Sequence, residues 1–242
     1  MYAQPPSSLH LRDAVATVLR DRSWWRHCLV NGALLLSLIG VPLAAGFVLE
    51  SYDNSRRGYP TPLPPWSDWS LRAIGGFLAL LIDFVFFLVP LFALLLLIML
   101  SGILLLAGGL LTAAAQGGWF NWFVALGWIM PLIVYLSGAA PLARLALTRE
   151  GKIEDALDLA VLSRGWQRRR RRLTLRARLM SLPAALPAAA LAGIFVGTAQ
   201  ISFNGQNWVL LLIAWLTAAA WIFAQLVEVQ LFTAAEHLAQ GA

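Results

Sequence analysis

From residue 73 to residue 115 the chain reads AIGGFLALLIDFVFFLVPLFALLLLIMLSGILLLAGGLLTAAA, with a single charge, Asp83. A helix crosses the roughly 30 Å hydrocarbon core of a bilayer with about 20 apolar residues. The run is too long for one crossing and right for two. Pro90 divides it, because proline removes a helix hydrogen bond and turns its predecessor away from helix. The whole chain has the same character. Of its 242 residues 60% are hydrophobic and 12% charged, about half the charge fraction usual for a soluble domain. That balance excludes an ordinary soluble enzyme and a disordered tail. The single cysteine, Cys28, cannot bridge internally, which excludes a disulfide-stapled module.

Working outward, further apolar runs cover Leu29–Leu49, Trp119–Leu147, Leu179–Gln200 and Trp208–Phe232. The first is preceded by a long polar-rich segment and no clean cleavage site, unlike a secretion signal, so it reads as a retained span. A re-entrant hairpin turning at Gly40-Val41-Pro42 is the alternative. The expected fold is all-α: a polytopic transmembrane helical bundle of six spans. Its organisation is a basic amphipathic segment (1–27), spans one to four (28–147) with a Pro/Trp loop at 51–71, a second cytoplasmic segment (148–178), and spans five and six with the tail (179–242).

Lysine and arginine set the orientation. Arg12, Arg20, Arg22 and Arg26 precede the first run, and Arg144, Arg149, Lys152, Arg164, Arg168–Arg172, Arg176 and Arg178 stand between spans four and five. Six spans put both segments on one side, which is then cytoplasmic with both termini. The loops at 51–70, 116–118 and 202–207 fall outside. Trp66, Trp69, Trp119, Trp122 and Trp208 then form an outer belt and Trp24, Trp25 and Trp166 an inner one, as indoles favour the headgroup level.

Leu11, Val15, Val18 and Leu19 share one helix face, and Ile153, Ala156, Leu157, Ala160 and Val161 another. Both segments suit helices lying flat on the inner leaflet, apolar face down. They align without a gap, Asp13-Ala14 through Trp24 against Asp155-Ala156 through Trp166, which is either a parallel duplication or a short chance match. The basic cluster Arg168, Arg169, Arg170, Arg171, Arg172 and Arg176 is expected to meet anionic headgroups of the bilayer. No aromatic platform or groove-reading motif accompanies it, so nucleic acid is not an expected partner.

Particular residues carry a family resemblance: Trp25-Arg26, Asn31-Gly32-Ala33-Leu34-Leu35, Gly40-Val41-Pro42-Leu43, the loop Leu63-Pro64-Pro65-Trp66-Ser67-Asp68-Trp69, Pro141-Leu142-Ala143-Arg144, and Glu236-His237-Leu238-Ala239-Gln240-Gly241. Their order resembles the prokaryotic integral-membrane family called domain of unknown function 4013, whose hallmark is a Leu-Pro-x-Trp-x-Asp-Trp loop after the first span. The arginine run departs from that pattern. The resemblance implies a multi-pass prokaryotic membrane protein and no assigned activity. Physically, the prolines stiffen the loop. Trp66 and Trp69 share a face if a helix starts at Ser67, with Asp68 in its first turn. The loop Pro64, Pro65, Trp66, Asp68, Trp69 is then an interfacial anchor or a docking surface.

Chemistry is sparse. Asp83 is the candidate intramembrane polar site. An ionised carboxylate in mid-bilayer costs ~2.5–3.5 kcal/mol on insertion scales and so faces protein or water. With no basic partner expected at its depth, it is either a neutral hydrogen-bonded group or a coupling acid. The hydrogen-bonding candidates are Asn31, Ser37, Ser101, Thr112, Ser137, Thr198, Thr217 and Gln225. Glu228 and Gln230 read as interfacial. No catalytic set, metal-ligand spacing or phosphate loop is present, so no cofactor is expected. Ala185, Ala189, Gly193 and Gly197 form a small-residue stripe, as do Gly109, Ala113 and Gly117. Such stripes admit a close helix neighbour, within the bundle or from a partner membrane protein or second copy. The first functional expectation is a non-enzymatic scaffold or accessory subunit of the cytoplasmic membrane. The competing one is a proton- or cation-coupled transporter or lipid-handling permease using Asp83.

Overall fold

A computed structural model describes residues 9–37, 39–59, 61–89, 138–158, 168–201 and 205–240, with isolated positions at 92, 95–97, 99, 100, 103 and 135. Pro90, the stripe Gly109, Ala113, Gly117, the turn at 116–118, Trp119, Trp122, Leu159–Trp166 and the centre of the 202–207 loop lie outside the described residues. The elements are α1 (Leu11–Leu19), α2 (Trp24–Leu35), α3 (Gly40–Arg56), α4 (Trp69–Asp83), α5 (Ala139–Glu150), α6 (Ile153–Leu157), α7 (Arg168–Ala199) and α8 (Gln206–Gln240). The described residues contain no strand.

Three described helices are long and apolar enough to cross a membrane: Trp69–Phe86, Arg170–Ala199 and Gln206–Gln240. The stretch expected to hold spans three and four lies mostly outside the described residues. The two C-terminal helices cover the runs expected for spans five and six. α7 continues through Pro183 and Pro187 without a break. Leu71, Ile74 and Phe77 on α4, Leu182 and Leu186 on α7, and Trp208, Leu211 and Leu212 on α8 are exposed. This is more apolar surface than a water-facing monomer usually carries.

The run Leu29–Leu49 is not one helix. It breaks between α2 and α3, where the Ser37 hydroxyl donates to the Leu34 carbonyl at 3.0 Å and accepts from the Gly40 N–H at 3.1 Å. A hydroxyl satisfying both helix ends stabilises the turn. The break precedes Gly40-Val41-Pro42, where the hairpin alternative put the turn. The two flanks come back together: His27, before the run, stacks on Trp66, after it, with ring centroids 5.2 Å apart. A crossing would separate them by about 30 Å. His27 and Trp66 are therefore not a bilayer's thickness apart, as the expected crossing of Leu29–Leu49 requires, and that crossing is corrected.

Close backbone approach sets the packing. A Cβ on Gly76 would fall 1.6 Å from the Pro42 carbonyl oxygen, and one on Gly46 would fall 2.0 Å from that of Arg72. Only glycine lets α3 and α4 touch there. Likewise Gly32 of α2 seats on the Ala219 backbone of α8. The amphipathic helices turn their apolar faces to protein. Ala14 and Val18 of α1 are buried in a core with Phe47, Tyr52, Leu226 and Phe232, and Ala156 of α6 packs with Ala79, Ile82 and Ala143. Leu19 of the first face is exposed, and Ala160 and Val161 of the second lie outside the described residues, so it is Ala14, Val18 and Ala156 that form core.

Candidate functional site

α4 ends at Asp83 and runs into a π-helical turn, Phe84–Leu88, in which the Val89 N–H reaches back to the Phe84 carbonyl. Such turns recur at functional positions because one extra residue re-aims the neighbouring side chains. Facing it, α5 carries Arg144, whose Nη2 donates to Asp83 Oδ2. Arg144 Nη1 also points to Gln225 Oε1 of α8 at 3.5 Å. On the next turn of α8, Glu228 takes a hydrogen bond from Arg178 Nη1 of α7 at 2.6 Å. The Arg178 guanidinium lies 3.9 Å over the Tyr135 ring.

These groups line a cavity of about 430 Å³ with Leu35, Val41 and Trp221. Two guanidiniums and two carboxylates make it close to neutral in sum and strongly polar in detail. Asp83 keeps 32% of its side chain exposed there, whereas Glu228 and Arg178 are almost fully enclosed. Tyr52 stands behind the cluster with its hydroxyl buried and unpartnered. Burial, then the neighbouring Glu228, pushes its phenol above the ordinary range. A second cavity of about 530 Å³ adjoins the first, sharing Leu35 and Trp221. Its walls are apolar: Ala185, Ala188, Ala189 and Ala192 of α7 against Ala214 and Ala218 of α8.

Asp83 thus has the basic partner that the sequence did not provide at its depth. Asn31, Ser37 and Thr217 instead satisfy carbonyls of their own helices, while Ser101, Thr112 and Ser137 lie outside the described residues. Glu228 and Gln230 are buried rather than interfacial, and Gln230 accepts from the Ser55 hydroxyl at 2.8 Å. The missed participants had one sequence signal. Arg144 and Glu228 are charges inside apolar runs, and such charges seek partners.

The Pro/Trp loop builds a second cluster. Arg72 is 2% exposed. It donates to Glu50 Oε2 at 2.7 Å and to the Pro65 carbonyl at 2.6 Å. Its guanidinium lies over Phe47, Trp66 and Trp69 at 5.6–5.9 Å. Trp66 stacks on Trp69, Phe47 and His27 in turn. The helix starts at Trp69 rather than Ser67. Asp68 precedes it in left-handed conformation (φ 53°) without a side-chain cap, its carbonyl accepting from the Arg72 N–H at 2.9 Å. Pro64 is buried and Pro65 exposed.

Among the basic residues, Arg171, Arg172 and Arg176 are exposed and Arg170 is half-buried. The Arg168 and Arg169 side chains lie outside the described residues. In the small-residue stripe Ala185 and Ala189 face the apolar cavity, whereas a Cβ on Gly193 or Gly197 would meet nothing within 4 Å. Among the described residues no group of three His, Cys, Asp or Glu side chains is placed to hold a metal ion.

A family model described as a protein of unknown function (DUF4013) matches residues 31–182. That stretch holds the α2–α3 hairpin, the Pro/Trp loop, Asp83, Arg144 and Arg178. No curated protein and no solved structure matches the chain.

Proposed function

The chain belongs to the family described as protein of unknown function (DUF4013), and from that premise we propose that it is a non-enzymatic multi-pass membrane protein that handles lipid. In this reading it sits in the cytoplasmic membrane with its basic segments inside. One observation carries it: the ion-paired cavity of Asp83, Arg144, Arg178 and Glu228 opens beside an alanine-walled apolar cavity, and Leu35 and Trp221 line both. A polar chamber beside an apolar one matches a headgroup joined to a hydrocarbon chain. Paired charges favour a ligand carrying both signs, since neither the arginines nor the carboxylates are in excess. The ion pair of Asp83 with Arg144 also weighs against a lone coupling acid.

The experiment is native mass spectrometry of the full-length protein after gentle detergent extraction. The wild type retains phospholipid. Ala192→Phe, which fills the apolar cavity, and Arg144→Gln, which breaks the polar one, lose it. Equal retention by all three proteins overturns the proposal. A scaffold or accessory role is the second reading, supported by the open face of Gly193 and Gly197, since such a stripe accepts a close helix neighbour. A partner that co-purifies with the wild type and is lost on Gly193→Leu would favour it.

A further inference from the structure

The four charges of the polar cavity cancel in sum, but they are not equally reachable. Asp83 keeps 32% of its side chain exposed, against 12% for Arg144, 3% for Arg178 and 6% for Glu228. Both guanidiniums are engaged within the protein, Arg144 with Asp83 and Gln225, Arg178 with Glu228 and the Tyr135 ring. A ligand entering the cavity therefore meets a carboxylate first. Arg144 takes only Asp83 Oδ2, and a carboxylate has acceptor sites on both oxygens. Gln225 Oε1 holds a long contact of 3.5 Å from Arg144 Nη1 and keeps a lone pair of its own. Both side chains line the cavity. Acceptors of this kind, one of them ionised, suit a cation that carries N–H donors.

The cationic end of a zwitterionic lipid is either a primary ammonium, with three such donors, or a quaternary ammonium, whose nitrogen is covered by methyl groups. A quaternary ammonium is held by several aromatic faces around it. Among the described residues lining this cavity the aromatic side chains are Tyr135 and Trp221. The Arg178 guanidinium already lies 3.9 Å over the Tyr135 ring, and Trp221 by itself is not a cage. The lining thus matches the primary ammonium. Arg144, in direct contact with Asp83, stands where the phosphate joined to that ammonium by a short carbon link would fall.

We propose that the cavity selects a lipid with a primary ammonium headgroup, phosphatidylethanolamine in class, with the ammonium on Asp83 and Gln225 and the phosphate beside Arg144. This rests on the lipid-handling reading and adds to it which headgroup is taken.

The test titrates full-length protein in detergent micelles, in a buffer free of amines, and reads the thermal midpoint. The probes are phosphatidylethanolamine, its N-methyl and N,N-dimethyl derivatives, and phosphatidylcholine, all with the same chains. All are zwitterionic, so the exposed arginines of α7 do not separate them. The lipid fraction giving a half-maximal rise should increase with each methyl group. From first to last the increase should be about tenfold, the effect of losing one charge-assisted hydrogen bond. Asp83→Asn should bring all the lipids together, whereas Ala192→Phe, in the apolar cavity, should weaken all of them and keep their order. Glycerophosphoethanolamine, which has the headgroup and no chains, should compete only weakly. No rise with any lipid overturns the lipid-handling reading and the headgroup assignment with it. An equal rise with all lipids leaves that reading standing and overturns the headgroup assignment, as does an order that survives Asp83→Asn. Competition by glycerophosphoethanolamine as strong as by the full lipid keeps the ammonium site and overturns its assignment to lipid. Should Asp83→Asn not fold, the methyl series on the wild type decides, and a flat or reversed order overturns the proposal.

Discussion

His27 lies between Phe47 and Trp66, stacked on both, with its Nδ1 buried and without a partner. Burial holds its pKa below the ordinary value, the nearby Arg72 acts in the same direction, and Asp21 opposes them. The unfolded chain then takes up the proton first as pH falls. Stability is full above the ordinary histidine pKa of about 6.5 and is lost progressively as pH falls from there towards the lower folded value. Denaturation in detergent at pH 7.5 and 5.5 should show the wild type weaker at the lower pH and His27→Phe less sensitive to the change. Equal pH dependence in the two proteins would remove His27 as the cause. Arg72 gives a second prediction. Breaking a buried ion pair from one side costs about 3–5 kcal/mol, so Arg72→Gln should destabilise by about that much. Glu50→Gln should cost at least as much, because it leaves the Arg72 guanidinium, 1% exposed, without its counter-charge, whereas Glu50 left alone is 32% exposed. Unfolding midpoints compared across the two variants check the order. Burial also pushes the Cys28 thiol up to about 12, so alkylation at pH 8 should be slow until the protein unfolds. Of these residues the sequence showed only type and neighbourhood. Periodicity along one helix does not reveal that Arg144 faces Asp83 or that Arg178 faces Glu228, because each pair joins different helices. The one legible element was Asp83 itself, a charge too costly in an apolar run to lack a partner.

Helix identity followed from apolar length, and the helices over Leu179–Gln200 and Trp208–Phe232 stand where their runs do. Arg168–Ala199 begins earlier than its apolar run, since arginine is a good helix former and does not end a helix. The run Leu29–Leu49 was harder to read, because twenty-odd apolar residues describe equally a spanning helix and two half-length helices folded on each other. What decides is the two-sided hydrogen bonding of Ser37 and the glycines behind it, and only the tertiary contacts reveal those. The glycine crossing of α3 and α4 predicts a sharp contrast. Gly76→Ala must push the Pro42 carbonyl away and should cost about 1–3 kcal/mol, the range for overpacking. Gly193→Ala, with nothing near its added methyl, should stay within about 0.5 kcal/mol. Thermal midpoints of the two variants in one detergent measure the difference.

For the molecule as a whole, the stacking of His27 on Trp66 places the α2 N-terminus and the Pro/Trp loop together, while the far ends of α7 and α8 meet at the loop before Gln206. Single cysteines at Arg20, Ser67 and Asn207, all exposed, should therefore label from two sides: Arg20→Cys and Ser67→Cys from one, Asn207→Cys from the other. A membrane-impermeant maleimide on right-side-out and inverted vesicles reads this directly. Labelling of Ser67→Cys from the face opposite Arg20→Cys would restore a crossing between them. The seat of Gly32 on Ala219 also bears on the order of events during synthesis. At about 5–20 residues per second, the ribosome delivers Ala219 roughly 10–40 s after Gly32. Throughout that interval the hairpin has its α3–α4 contact but no floor beneath α2, and α1 has nothing to cover. The seat of α2 is thus completed only after most of the chain has been made, although α2 itself is among the first helices to leave the ribosome.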